Sequence, residues 1–97
     1  MYVGTVEFDL LLGDVHSLKE KRSIVRPIIA ELKRQYDVAA AESGDLDLHR
    51  RAEVGVAVVA ADARHCGEVL DTCERFVAAR PECELLSVRR RLFGPED

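Results

Sequence analysis

The densest chemistry in this chain lies in six consecutive residues, Ser17-Leu18-Lys19-Glu20-Lys21-Arg22. Ser17 followed three residues later by Glu20 has the spacing of a capping box, which opens a helix at Leu18. Three cations then fall in the first turns of that helix. Its free N–H groups and dipole already make this end positive, so each added cation is unfavourable by a few tenths of a kcal/mol unless an anion answers it. The pattern suits a phosphate or carboxylate ligand and selects Ser17, Lys19, Lys21 and Arg22 as a candidate anion or RNA site. Arg50 and Arg51 join the set if the fold brings them to the same end. A competing reading follows from helical angles at 100° per residue. Lys19, Arg22, Arg26 and Lys33 share a sector of about 60° and form a solvated stripe. Lys21 falls outside it, beside Val25, Ile28 and Leu32, from where it is expected to snorkel toward the loops or to pair with Asp45 or Asp47.

Other reactive groups form no recognisable constellation. Cys66, Cys73 and Cys83 are spaced as neither a zinc site nor a C-x-x-C pair and read as reduced thiols, two of them on the apolar face of one helix. His16 and His49 can meet near Asp14 and Asp47, but no spacing demands a metal, so no metal and no cofactor are expected. Ser17 has no base placed to activate it, and no catalytic residue is assigned. Arg89 and Arg91 face Glu7 and Asp9 across two strands. With Val59 they mark a candidate interface, either as cross-strand ion pairs or as a surface for a second copy.

Several elements are needed to position these groups. Tyr2–Leu12 alternates as a half-buried strand, and Leu18 to Tyr36 has a helical apolar repeat interrupted by Pro27, where a kink or loosened turn is expected. Val38–Ser43 and Arg51–Ala61 read as strands around a polar turn. Asp62 caps a second helix that Arg80-Pro81 stops, and Glu84–Phe93 is the last strand. The order βαββαβ with right-handed crossovers gives an α+β, ferredoxin-like sandwich: a four-stranded antiparallel sheet with two helices on one face. That topology gathers the β1–α1, β2–β3 and α2–β4 connections at one end, so Lys19, Lys21 and Arg22 are expected near Arg50, Arg51 and Arg80. Leu11, Ala57, Val59 and Leu85 are expected on the open face.

Ninety-seven residues with 47% hydrophobic and 33% charged content fit one globular domain. It is assigned to residues 1–93, with a short acidic tail at 94–97. No apolar run reaches the ~18 residues of a membrane span and no leader pattern is visible, so a cytoplasmic protein without a membrane partner is expected. The formal charge of −4 argues against a general nucleic-acid coat and leaves room only for a local basic patch.

The whole chain resembles the YlxP-like family of small bacterial proteins of unknown function. The resemblance rests on Gly4, the block Ser17-Leu18-Lys19-x-Lys21-Arg22, Ala41-Glu42, Asp47-Leu48, Arg51-Ala52 and Gly55-Val56-Ala57-Val58-Val59. It implies a ferredoxin-like fold, and genes of that family often neighbour those of translation factors. His49 stands where the family commonly has Trp, and no catalytic residue carries over. The expected function is a non-enzymatic binding protein that engages RNA or a ribonucleoprotein through its basic end. The alternative is a homo-oligomeric interaction module using the open sheet, with a homodimer as one form. Acylphosphatases share the topology, but their glycine-rich phosphate loop is absent here, which makes hydrolysis a distant third reading.

Overall fold

A computed structural model describes residues 1–44 and 47–96. Its elements are β1 (Tyr2–Leu12), α1 (Leu18–Tyr36), β2 (Ala39–Ser43), β3 (Arg51–Ala60), α2 (Ala63–Ala78) and β4 (Cys83–Phe93). The strands form one antiparallel sheet in the order β2-β3-β1-β4, the ferredoxin-like arrangement. Even-numbered residues of β1 and β3 face the helices. Val6, Phe8, Leu10 and Leu12 meet Val54, Val56 and Val58 in the core, closed from above by Val25, Ile28 and Leu32 of α1 and Leu70 and Val77 of α2. Burying each such side chain contributes about 1.5–3 kcal/mol, which explains why the strict period-two pattern fixes the register.

Both helices begin on side-chain caps. Ser17 Oγ accepts the Glu20 N–H at 3.1 Å, and Asp62 Oδ1 accepts the His65 N–H at 2.8 Å. The return arm of the first cap reaches one residue further back than a capping box does, since the Glu20 carboxylate accepts from the His16 N–H at 3.3 Å. α1 runs through Pro27 as one uninterrupted helix. Pro27 lies on its exposed side, where water can satisfy the carbonyl that the missing N–H leaves open. α1 ends at Asp37, which takes the left-handed conformation (φ 54°).

Gly4 is required by a close approach. A Cβ there would lie 3.0 Å from Leu70 Cδ1, 3.3 Å from Cys66 Cβ and 3.4 Å from Val58 Cγ1, so α2 sits directly on the β1 backbone. Overpacking at this point predicts that Gly4→Ala costs about 1 kcal/mol and Gly4→Val about 3 kcal/mol in urea unfolding. Unchanged midpoints would show that α2 can lift away freely.

Cys66 and Cys73 are buried on the core face of α2, and all three cysteines are free thiols. Burial pushes the Cys73 and Cys83 thiols above their ordinary pKa, which keeps both protonated and unreactive. At the β4 edge, Arg90 reaches back over the core to Asp71 at 2.7 Å and Glu74 at 3.0 Å, clasping β4 to α2.

One expectation about the sheet is corrected. Leu85 lies on the core side, opposite Leu10, because a register irregularity between Asp9 and Leu10 resets the parity of β4. Leu86 is exposed instead.

Candidate functional site: a basic stripe on the first helix

The topology does bring the three expected connections together, although the basic residues do not gather there. Arg50 donates its Nε–H to the Gly13 carbonyl at 3.1 Å, and the Leu12 N–H donates to the Arg50 carbonyl at 2.8 Å, which stitches the hairpin to the β1–α1 loop. Glu82 and Glu84 line the same shallow depression as Gly13 and Arg50, so this end is of mixed charge. His16 pairs with Asp14 at 2.7 Å, both exposed. Among the described residues there is no cluster suited to a metal ion.

Lys21 corrects the sequence reading most. It is 1% exposed, in line with Val25, Ile28 and Leu32 on the buried face of α1. Its ammonium lies 3.0 Å from Glu42 Oε2 and donates to the Leu48 carbonyl at 2.7 Å. Glu42 is reachable because Ala40 and Glu42 share the helix-facing side of β2. A buried cation so engaged cannot meet a solvent phosphate. Lys21 is instead a lock between α1 and the β2–β3 hairpin. Asp45, one of the two acids expected to pair with it, lies outside the described residues.

Arg51 and Arg80 also leave the basic end. Arg51 points to the open sheet face and lies 3.7 Å from Asp9. Arg80 stacks over the Phe76 ring at 4.3 Å and donates to the Phe76 carbonyl. Ser17 spends its hydroxyl oxygen on the cap. On the open face Arg89 is shared among Glu7 and Asp9, each at 3.5 Å, and Glu53, which the sequence reading did not include. Arg91 stacks on the Phe93 ring at 4.9 Å, with no carboxylate partner among the described residues.

Lys19, Arg22, Arg26 and Lys33 remain. All four are exposed and follow one line of α1, about 120° round the helix from Lys21 and Val25. Lys19, Arg22 and Arg26 border a shallow depression of about 360 Å³ beside Ser23 and Pro27. None of the four has a hydrogen-bond or ionic partner among the described residues. The two acids of α1 are turned to other tasks: Glu20 holds the His16 N–H, and Glu31 accepts from Arg34 and Gln35. Those hydrogen bonds, Arg34's first, hold the Glu31 carboxyl at about 2, below its ordinary 4.5. Every other Lys or Arg has an intramolecular partner, from the ion pairs of Arg64 and Arg90 to the Arg75–Thr72 hydrogen bond. Arg26 and Lys33 had been grouped with the stripe from their angles, but assigned to solvent rather than to the site.

Comparison with known proteins now becomes informative. Residues 3–90 match the family model described as "Protein of unknown function (DUF503)". The chain belongs to this family. The chain is also similar to the uncharacterised protein YlxP of Bacillus subtilis strain 168, 28% identical over 91 residues that cover 94% of this chain and 99% of that protein. Among solved structures, the de novo designed protein Foldit4 superposes with a TM-score of 0.56 at 14% identity, covering 97% of this chain and 98% of the design. A second de novo design, LFR1 1, with a ferredoxin fold, gives 0.53 at 15% identity over 95% of this chain and 85% of its own. These similarities support the ferredoxin-like fold of this DUF503 chain and carry no function with them. Among its described residues no helix is long and apolar enough to cross a membrane.

Proposed function

We propose that this DUF503 protein is a non-enzymatic binding module that engages RNA, free or within a ribonucleoprotein, through the stripe Lys19, Arg22, Arg26 and Lys33. A cytoplasmic setting is part of this proposal. One observation carries it: four exposed cations on one helix line have no partner among the described residues, whereas the other basic side chains all have intramolecular partners. Arg22 and Arg26 are a like-charge i, i+4 pair, which destabilises a helix by a few tenths of a kcal/mol, and Lys19 adds its charge near the positive helix end. No partner among the described residues offsets these costs, whereas a polyphosphate backbone would.

The stripe spans fifteen residues, about 21 Å along the helix axis, and can meet about three or four phosphates. The acidic remainder of the molecule repels nucleic acid elsewhere, which keeps binding local. Relative to the sequence reading, Lys21 and Arg51 leave the contact set and Arg26 and Lys33 enter it. Fluorescence anisotropy with a short single-stranded RNA should give a dissociation constant on the order of 10⁻⁵ M, with a log-log salt slope of about −2 to −3, from roughly −0.7 per contact. Binding that ignores salt, or no binding at about 50 mM salt, would falsify the proposal.

A further inference from the structure

The sheet face turned away from the helices is uncovered, and its relief is graded from one edge to the other. The strand register aligns Ala39, Ala57, Thr5 and Arg91 in one row across β2, β3, β1 and β4, and Ala41, Gly55, Glu7 and Arg89 in the next. Side chains are therefore short over β2 and β3 and tall over β4, where Phe93 stands beside Arg91. The low part is a predominantly apolar trough of about 540 Å³ with Ala39, Ala41, Gly55 and Ala57 along its floor. Val59, 62% exposed, stands just beyond it.

We infer that a second copy of this chain covers this face, related by a two-fold axis that runs along the strands between β3 and β1. Such an axis lays the tall β4 edge of each copy over the low β2 edge of the other, so Arg91 and Phe93 fill the partner's trough. A surface whose high side matches its own low side is self-complementary, as an isologous interface requires. Charge agrees with shape. Arg91 has no carboxylate in its own chain among the described residues. Asp37, exposed just before β2 and without a partner among the described residues, lies at the edge that the other copy's Arg91 approaches. The ion-paired group around Arg89 borders the trough and forms a polar rim.

Size fits as well. Two central columns of ~34 Å and two outer columns limited to the ~17 Å of the five-residue β2, each ~4.8 Å wide, give a footprint of about 500 Å² per copy, or about 1,000 Å² in all, at the lower limit for a specific interface. Association should therefore be reversible and in the micromolar range.

Sedimentation equilibrium from about 1 to 300 µM tests the proposal on the full chain. Its mass should rise from 10.8 kDa toward twice that value. Gly55→Lys places a long side chain in the trough. A Cβ there meets Ser43 Oγ at 3.6 Å and the Ala41 carbonyl at 3.9 Å, which is ordinary contact, and Glu7 stands opposite to receive the ammonium. This variant should keep the wild-type melting temperature at low concentration and remain at the monomer mass throughout. A wild-type chain that stays monomeric at every concentration overturns the proposal and leaves this face to a different protein or a small ligand. Gly55→Lys dimerising as well as wild type overturns it too, by placing the contact elsewhere. Neither result depends on RNA binding, which uses the opposite layer of the molecule.

Discussion

Lys21→Ala should lower stability by about 3 kcal/mol, because it opens a cavity and takes the cation from the half-buried Glu42 carboxylate and from the Leu48 carbonyl. For a domain of this size that corresponds to roughly 15 °C in melting temperature. Glu42→Ala should also be destabilising, since it removes the carboxylate 3.0 Å from the buried ammonium. By contrast, Lys19→Ala and Arg22→Ala should stay within about 0.5 kcal/mol of wild type, as exposed substitutions without partners do. The double variant Lys21→Met, Glu42→Leu should be less destabilised than the sum of Lys21→Met and Glu42→Leu alone, since an apolar pair needs neither partner. Thermal unfolding of the set checks this. If Lys21→Ala melts with wild type, the α1–hairpin lock is not a stabilising contact.

That lock also shows how far the sequence could be read. Helical angles alone placed Lys21 among Val25, Ile28 and Leu32, and the structure buries it there. Glu42, on the helix-facing side of β2 by simple alternation from Ala40, is a partner that the sequence reading did not include, since it named only the acids of the turn. The same alternation separates Arg50 from Arg51. Consecutive strand residues point to opposite faces, so grouping the two as one basic end ignored a rule that the sequence already contained. Leu85 is a different case. Its position depends on a register irregularity opposite Asp9 and Leu10, which no local pattern in β4 announces. Arg90 was overlooked because its carboxylate partners, Asp71 and Glu74, belong to α2 and are brought near only by the packing of layers.

The fold itself was legible for a physical reason. Strict period-two alternation in β1 and β3, two capped helices and an interior that accepts only one register leave a single way to bury these faces. The basic stripe was legible as geometry but not as a site, since an unpartnered cation and a solvated one look identical in sequence. What separates them is the inventory of partners for every other cation, and that exists only in three dimensions.

The largest functional effect should follow reversal of the stripe, which tests the central claim most directly. In Lys19→Glu, Arg22→Glu, Arg26→Glu, three attractive contacts become repulsive, and affinity for a short single-stranded RNA at about 50 mM salt should fall by at least a hundredfold. The melting temperature should stay within a few degrees of wild type, because none of these side chains has a partner among the described residues. A variant with Arg64→Glu and Arg75→Glu on α2, which carries two of the three charge reversals, should retain binding and controls for most of the change in total charge. The measurement is the anisotropy titration of wild type and these two variants side by side. The account predicts loss of RNA binding in the stripe variant alone, with its fold intact. Equal binding by all three proteins, or equal loss in both variants, would contradict it.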